Sequence, residues 1–122
     1  MEKVENMKLD IKHEIGPRCI VEEDGQKIYD SIHDPLKGGD TVTLDFNGVN
    51  QFASPFFNFA IGQLLKDIKE DDLRQLLHIE NLNETGQMVV KRVIENAVKY
   101  HGNKDYSKIV DDILAQQSSE SD

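Results

Sequence analysis

The chain has 122 residues and a formal net charge of -9, because 23 aspartates and glutamates outnumber 14 lysines and arginines. This length suits a single domain, and the acidic balance argues against nucleic acid and anionic membrane surfaces as partners, since both are bound mainly through Lys and Arg. The polar start, the lack of an apolar run of about 18 residues and the single cysteine predict a cytoplasmic protein without a membrane span or an internal disulfide.

The first predicted element is a strand near the start of the chain. Met7, Leu9 and Ile11 alternate with polar residues, the period of two that is expected when one face of a strand is buried. Gly16-Pro17 follows as a turn signal.

A helix is expected after this turn. It should begin between Val21 and Gly25, where Asp24 is a suitable N-cap. Asp34-Pro35 should end it, because the residue before a proline is pushed out of the helical region. The face that points inward is predicted to consist of Ile28, Tyr29 and Ile32.

The strand with the clearest pattern comes next. Val42, Leu44 and Phe46 alternate with polar residues in a β-branched and aromatic context, so we expect this strand at the centre of the sheet. Asn47-Gly48 could open a hairpin, but no second alternating run follows closely. A short loop into a helix is the preferred interpretation.

Ser54 and Pro55 are well suited to begin that helix. Serine is a good N-cap, and proline fits the first helical position because its missing N–H would have had no partner there. The apolar residues that follow recur at helical spacing and predict one continuous helix with a buried face. They are Phe57, Ile61, Leu64 and Ile68, with Ala60 and Leu65 broadening the face.

The remaining elements are a short strand and two helices. The strand is predicted at Leu77–Glu80, after a polar stretch at 66–72. Asn83 or Thr85 should begin a helix that ends at a cap on Gly102, with the stripe Val89, Val90, Val93, Ile94, Ala97 and Val98.

A last helix is predicted near the end of the chain. Asp105 could cap it, and its apolar stripe can dock on the domain surface. We therefore expect one domain over residues 1–115 and a disordered acidic tail over 116–122. The stripe consists of Ile109, Val110, Ile113 and Leu114.

The order strand, helix, strand, helix, strand, helix, helix predicts an α/β fold. Helices should cover an open sheet, with right-handed crossovers between adjacent parallel strands.

A family resemblance lies in the segment from Thr41 to Leu65, which reads TVTLDFNGVNQFASPFFNFAIGQLL. It resembles the core motif of the STAS-like family of unknown function, related to sulfate transporter and anti-sigma factor antagonist domains. That motif is a strand ending in Leu-Asp-Phe, a Val in the next turn and a small-residue segment entering a helix. The resemblance also takes in residues 25–32, the strand around His78 and the helix ending VIENAVKYHG.

The resemblance implies a STAS-like α/β fold. Its sheet should be small and mixed, with three to four strands covered by about four helices. Pattern alone finds three strands, so a fourth is expected between His13 and Val21.

The resemblance also implies a regulatory role in protein interaction. Antagonist domains of this kind bind histidine-kinase-like ATPases, which phosphorylate a serine at the start of the helix after the central strand. The antagonists read Asp-Ser-Ser-Gly at that site, whereas this chain reads Ala53-Ser54-Pro55-Phe56, with Pro55 at the acceptor position. Ser54 is therefore the phosphoacceptor candidate only in a shifted register, and its alternative role is a helix cap.

The corner between the central strand and this helix is the predicted partner-binding surface. It is rich in phenylalanine, and one helix cannot turn every ring toward one sheet. Phe56 and Phe59 either anchor an interface or pack in the core, and core packing is the more common role for such residues. The residues assigned to partner binding are Asn50, Phe52, Ser54, Phe56 and Phe59.

No catalytic, cofactor or metal site is predicted. His13, His33, His78 and His101 show no pair at the spacing of a zinc site. Asp45 is expected to face solvent or brace a loop, and Cys19 to be a small buried apolar residue.

A non-enzymatic regulatory binding domain is therefore the preferred hypothesis, with two alternatives left open. One is a small nucleotide-binding protein or enzyme, which the lack of a glycine-rich phosphate loop disfavours. The other is a domain that self-associates through its C-terminal helix, so a homo-oligomer is possible.

Overall fold

The computed structural model describes residues 6–100 and residue 113. Three parallel strands form the main sheet in the order β1-β3-β5, where β1 is Asn6–Asp10, β3 is Thr41–Asp45 and β5 is Leu77–Glu80. A second parallel sheet pairs β2, Arg18–Cys19, with β4, Gln51–Phe52. The described helices are α1 Ile11–Ile15, α2 Glu22–Lys37, α3 Ser54–Ala60, a 3-10 helix at Gly62–Lys66, α4 Glu70–Leu76 and α5 Glu84–Tyr100.

The main sheet has one apolar and one polar face. Its strands are added in chain order in one direction, so right-handed crossovers, the hand of about 98% of such connections, place both linking segments on one face. The alternation of side chains agrees with helices on one face only, because Leu9, Leu44 and Ile79 share a register row and are all buried. The intervening row of Lys8, Thr43 and His78 lies on the opposite face.

The helices complete a core around the apolar face. In α2, Ile28, Ile32 and Leu36 are buried, while Tyr29 is half-buried and packs against the core. In α5, the predicted stripe is buried at Val90, Val93, Ile94 and Val98, with Val89 and Ala97 at its margin. The predicted inward faces of both helices are therefore confirmed.

The first strand is confirmed but is shorter than predicted. It ends at Asp10, whose carboxylate accepts a hydrogen bond from the backbone N–H of His13 at 3.2 Å and caps α1. Ile11 is consequently the first residue of a short helix and is fully buried there. The alternating pattern identified its burial but not its backbone conformation.

The start of α2 lies in the predicted interval, but its cap and its end differ from prediction. Val21 is the N-cap, and Asp24 lies in the first turn. The helix continues through Pro35 to Lys37, although the proline removes one backbone donor and crowds the carbonyl four residues earlier. Buried Leu36 and a 2.9 Å bond from the Asp40 N–H to the Pro35 carbonyl hold this last turn.

The predicted helix after Pro55 is divided into two pieces. Helix α3 ends at Ala60, and the 3-10 helix begins at Gly62, where a Cβ atom would lie 3.5 Å from Val93. All members of the predicted buried face are nevertheless buried, namely Phe57, Ala60, Ile61, Leu64, Leu65 and Ile68.

Two further expectations are confirmed, and one helix was not expected. Strand β5 has the predicted bounds, and β3 is the central strand. Helix α4 was not predicted, since its seven residues are mostly polar.

The STAS-like α/β fold class is confirmed, although the strands are arranged differently from the implied single mixed sheet. They form two sheets, and every pairing among the described residues is parallel. The fourth strand expected between His13 and Val21 is β2.

The predictions near the end of the chain, the cap at Gly102, the helix from Asp105 and the tail over 116–122, lie outside the described residues apart from Ile113, which is fully buried. Within the described part of the chain, no helix combines the length and apolarity needed to cross a membrane.

Candidate functional site

The predicted corner is held in place by the small β2–β4 sheet. Gly16, at φ 102°, turns the chain into β2 as expected from the Gly16-Pro17 signal. The Asn50 N–H then donates to the Pro17 carbonyl at 3.0 Å, and the Ala53 N–H donates to the Cys19 carbonyl at 3.0 Å. Because β2 leads into α2 and β4 leads into α3, these bonds bring the starts of both helices together.

The five residues predicted to bind a partner are not equally accessible. Asn50 is exposed, whereas Phe52, Ser54 and Phe59 are half-buried. Phe56 is fully buried. The interface-anchor interpretation is therefore wrong for Phe56, and its alternative, core packing, is correct.

The phenylalanines of the corner form an aromatic cluster. Phe56 meets Phe57 edge to face with ring centroids 5.0 Å apart. Phe57 in turn lies 5.7 Å from Phe46 and 6.0 Å from Phe52. Such contacts stabilise a core beyond simple burial, and here they fix the start of α3 against the sheet.

Ser54 is not the N-cap of α3, contrary to the prediction. Ala53 is the N-cap, no side chain caps this end, and Ser54 is the first helical residue, with Pro55 following it on the surface. The extended backbone of Ala53, at φ -147° and ψ 152°, sets the boundary one residue earlier than the sequence suggested.

Helix caps provide a first test of this geometry. Replacing Asn83 by alanine should lower the free energy of unfolding by about 0.5–2 kcal/mol, because its side chain accepts the Gly86 N–H at 2.8 Å at the start of α5. Ser54→Ala should change it by less than about 0.5 kcal/mol. Urea unfolding of both variants measures the difference. Equal losses would mean that Ser54 does act as a cap.

An open groove lies between the starts of α2 and α3. It has a volume of about 500 Å³ and is lined by Ile20, Val21, Glu22, Glu23 and Pro55. A second groove of about 580 Å³ shares Ile20 and Val21 and extends along β2. The remaining residues lining that second groove are Ile15, Pro17, Arg18, Asp24 and Gln51.

The sequence prediction of the site did not include Ile20, Val21 or the glutamates beside them. Their place beside Pro55 depends on the pairing of two-residue strands, which have no detectable period. The one available signal was the apolar run Cys19-Ile20-Val21, which fits a buried strand equally well.

The other polar candidates have structural roles. The Asp45 carboxylate accepts hydrogen bonds from the Asn81 side chain at 2.9 Å and the Asn47 N–H at 3.0 Å. Partial burial opposes ionisation, but these two bonds and the charge of Lys8 outweigh it, so the pKa of Asp45 is lowered. Asp45 therefore braces the loops at the strand ends, as predicted.

The Cys19 thiol is not activated as a nucleophile, and the described acidic residues offer no metal site. Burial, assisted by the charge of Asp24, raises the pKa of the Cys19 thiol to about 12, so it stays protonated. Among the described residues, no group of three His, Cys, Asp or Glu side chains could hold a metal ion.

A charged cluster joins the far end of α2 to the segment after the 3-10 helix. The His33 ring nitrogens lie 2.9 Å from Asp67 and 3.1 Å from Asp34. The Lys37 ammonium donates to the Asp67 carbonyl at 2.6 Å, and the Tyr29 ring lies 5.0 Å from that of His33. The hydrogen bond to Asp67 raises the pKa of His33, burial opposes this, and Asp34 adds to the rise.

This cluster predicts a pH-dependent stability. Because the protonated imidazole is favoured in the folded state, its stabilisation is complete below about pH 6.5 and is lost as the pH rises through the raised pKa of His33. The melting temperature should therefore fall more for the wild type than for His33→Gln between about pH 5.5 and about pH 8.5. The other histidines are present in both proteins, so their contributions cancel when the two melting temperatures are compared. Parallel curves of melting temperature against pH would contradict the prediction.

Comparison with protein families matches residues 24–87 to the STAS-like domain of unknown function (DUF4325). This match covers just over half of the chain and includes the central strand, the corner, α3 and β5. Comparisons with curated proteins and with solved structures gave no match. The family match agrees with the motif and the fold, and the chain belongs to the STAS-like domain family of unknown function, DUF4325.

Proposed function

We propose that this domain is a non-enzymatic regulatory module that binds a protein partner, a histidine-kinase-like ATPase, through the corner of residues 50–59. The observation that carries the proposal is that the corner of the family motif is accessible, whereas its strand and the inner face of α3 are buried. Asn50 and Pro55 are exposed, and Ser54 and Phe59 are half-buried beside them. The β2–β4 bonds hold this surface in one conformation, which favours binding because less entropy is lost on association.

Ser54 supplies a means of regulation in this proposal. The kinase transfers the γ-phosphoryl group of ATP to the Ser54 oxygen, which loses its proton to solvent as ADP leaves. The product carries close to two negative charges at the edge of a groove that Glu22 and Glu23 already line. Pro55 has no N–H to offer the phosphate, so the added charge stays hydrated, and the cost of desolvating it in the apolar contact with the partner weakens binding.

Binding to a histidine-kinase-like ATPase encoded beside this gene tests the proposal. Ser54→Asp and Phe59→Asp should weaken binding at least about tenfold, as expected for a charge placed in the centre of an interface. Met88→Asp is the matched control, because Met88 is 65% exposed on α5 and is not one of the corner residues 50–59.

The folded state of each variant is checked by circular dichroism before binding is measured. Incubation with ATP and the kinase should add one phosphoryl group to the wild type but not to Ser54→Ala, as read by mass spectrometry. Wild-type affinity in both corner variants would exclude this surface. Phosphorylation of Ser54→Ala to the same extent would exclude the proposed switch.

A further inference from the structure

Val21 occupies a position in which valine is unfavourable. It is the N-cap of the sixteen-residue helix α2, and no side chain caps this end. Valine ranks among the weakest N-caps because it cannot accept a hydrogen bond from the first helical turn. Val21 is also 46% exposed, one of two large hydrophobic side chains exposed in the described part of the chain. Helix stability and core packing therefore do not explain this residue.

The surroundings of Val21 form an apolar floor open to solvent. Ile20, Val21 and Pro55 line one groove together, and Ile15 and Pro17 line the adjoining groove with the same Ile20 and Val21. The two grooves adjoin at Ile20 and Val21, which line both. An apolar side chain from a partner could contact Ile20, Val21 and Pro55 together here.

The rim of the groove is acidic. Glu22 and Glu23 line it, and Asp24 and Arg18 are both among the residues that line the adjoining groove. Acidic residues in a first helical turn also complement the helix dipole, which accounts for their presence in α2. The dipole does not account for the exposed valine that precedes them, and the combination is what an apolar side chain flanked by cations would complement.

We infer that the groove lined by Ile20, Val21, Glu22, Glu23 and Pro55 docks a partner segment in which an apolar side chain is flanked by Lys or Arg. The apolar side chain contacts Val21 and Pro55, and the cations pair with Glu22 and Glu23. This inference rests on the proposed function, since it names the chemistry that the partner brings to the edge of the same corner.

Peptide binding tests the chemistry without knowledge of the partner. The probe is a short peptide with two leucines flanked on each side by two lysines, and the matched probe carries glutamates in place of the lysines. Amide chemical shifts of the labelled full chain should change at residues 20–24 and around Ser54 with the lysine peptide only. Equal binding of the glutamate peptide, shifts elsewhere, or no shifts would overturn the inference.

Val21→Ser separates binding from stability. Serine can cap α2, so the melting temperature should rise by about 2–8 °C, while affinity for the lysine peptide falls at least about tenfold. Met88→Ser is the matched control, because Met88 does not line the groove and is the other large hydrophobic side chain exposed among the described residues, 65% exposed against 46% for Val21. A stabilised Val21→Ser variant with wild-type affinity would overturn the role of Val21.

The charge of the rim has its own variant. Glu22→Gln/Glu23→Gln should weaken the lysine peptide at low salt and make its affinity less dependent on ionic strength. Unchanged affinity and salt dependence would overturn the acidic rim as a determinant.

The failure of this inference is distinguishable from failure of the proposed function. If the ATPase binds and responds to Ser54→Asp but not to Val21→Ser or the glutamine pair, the groove inference fails alone. If the lysine peptide binds the groove but the ATPase does not bind, the proposal that the partner is such an ATPase is wrong, and the inferred chemistry of the groove is retained.

Discussion

Phe56→Ala should lower the free energy of unfolding by about 3–5 kcal/mol, a large part of the stability of a small domain. Phe56 is fully buried and packs edge to face on Phe57, so truncation removes apolar contacts and leaves a cavity that neighbouring side chains fill only in part. The cavity would lie beneath the start of α3. Urea denaturation followed by circular dichroism measures the loss.

Phe59→Ala is the matched control for Phe56→Ala, because Phe59 lies on the same helix but is only half-buried. Phe59→Ala should lower the free energy of unfolding by clearly less than Phe56→Ala does, since the Phe59 side chain removes less apolar surface from water on folding. If Phe56→Ala were as stable as the wild type, the ring would not be in the core, and the interface-anchor interpretation would return.

Much of the main sheet could be predicted from the sequence because its residues alternate. A period of two distinguishes the buried row of Val42 and Leu44 from the polar row of Thr43 and Asp45, and the structure places these rows on opposite faces. Strand β5 was found with its observed bounds for the same reason. Such a pattern reports the burial of a residue more directly than its backbone conformation, as Ile11 illustrates.

The elements that local pattern missed are those whose cause lies outside their own segment, and of these only β2 was expected, from the family resemblance. The two-residue strands β2 and β4 are too short to show a period, and they exist because each satisfies the backbone of the other. Likewise, the break after Ala60 lies where this segment meets α5, with a Cβ atom at Gly62 at an ordinary contact distance of 3.5 Å from Val93. Local pattern cannot reveal a contact with a distant part of the chain.

The candidate site was predicted only in the half that the family motif covers most clearly. Asn50 lies just before β4, Ser54 is the first residue of α3 and Phe59 is close to its end, so all three lie in the segment that the motif indicates. The other half, around Val21, comes from a segment some thirty residues earlier. The bonds between β2 and β4 join the two halves, so the surface is a product of tertiary structure.

The position of α3 against α2 decides the shape of the groove, and Gly25 is the residue that permits their close approach. A Cβ atom at Gly25 would overlap the Phe56 carbonyl oxygen and lie 2.9 Å from the Phe59 Cβ. A backbone oxygen cannot move aside as a flexible side chain can, so the helices must separate. Gly25 is buried in the second turn of α2, close to the groove residues Glu22 and Glu23.

Gly25→Ala should therefore lower the free energy of unfolding by about 1–3 kcal/mol, even though alanine is favoured over glycine in a helix by about 1 kcal/mol. Gly38→Ala, at the other end of α2, is the matched control. Its Cβ would lie 3.4 Å from the Asp34 carbonyl oxygen, an ordinary contact, and its backbone is right-handed helical, so its stability should stay within about 0.5 kcal/mol of the wild type. Urea unfolding compares the two variants. A Gly25→Ala protein as stable as Gly38→Ala would show that α2 and α3 are not packed this closely, and the groove between Val21 and Pro55 would lose its structural basis.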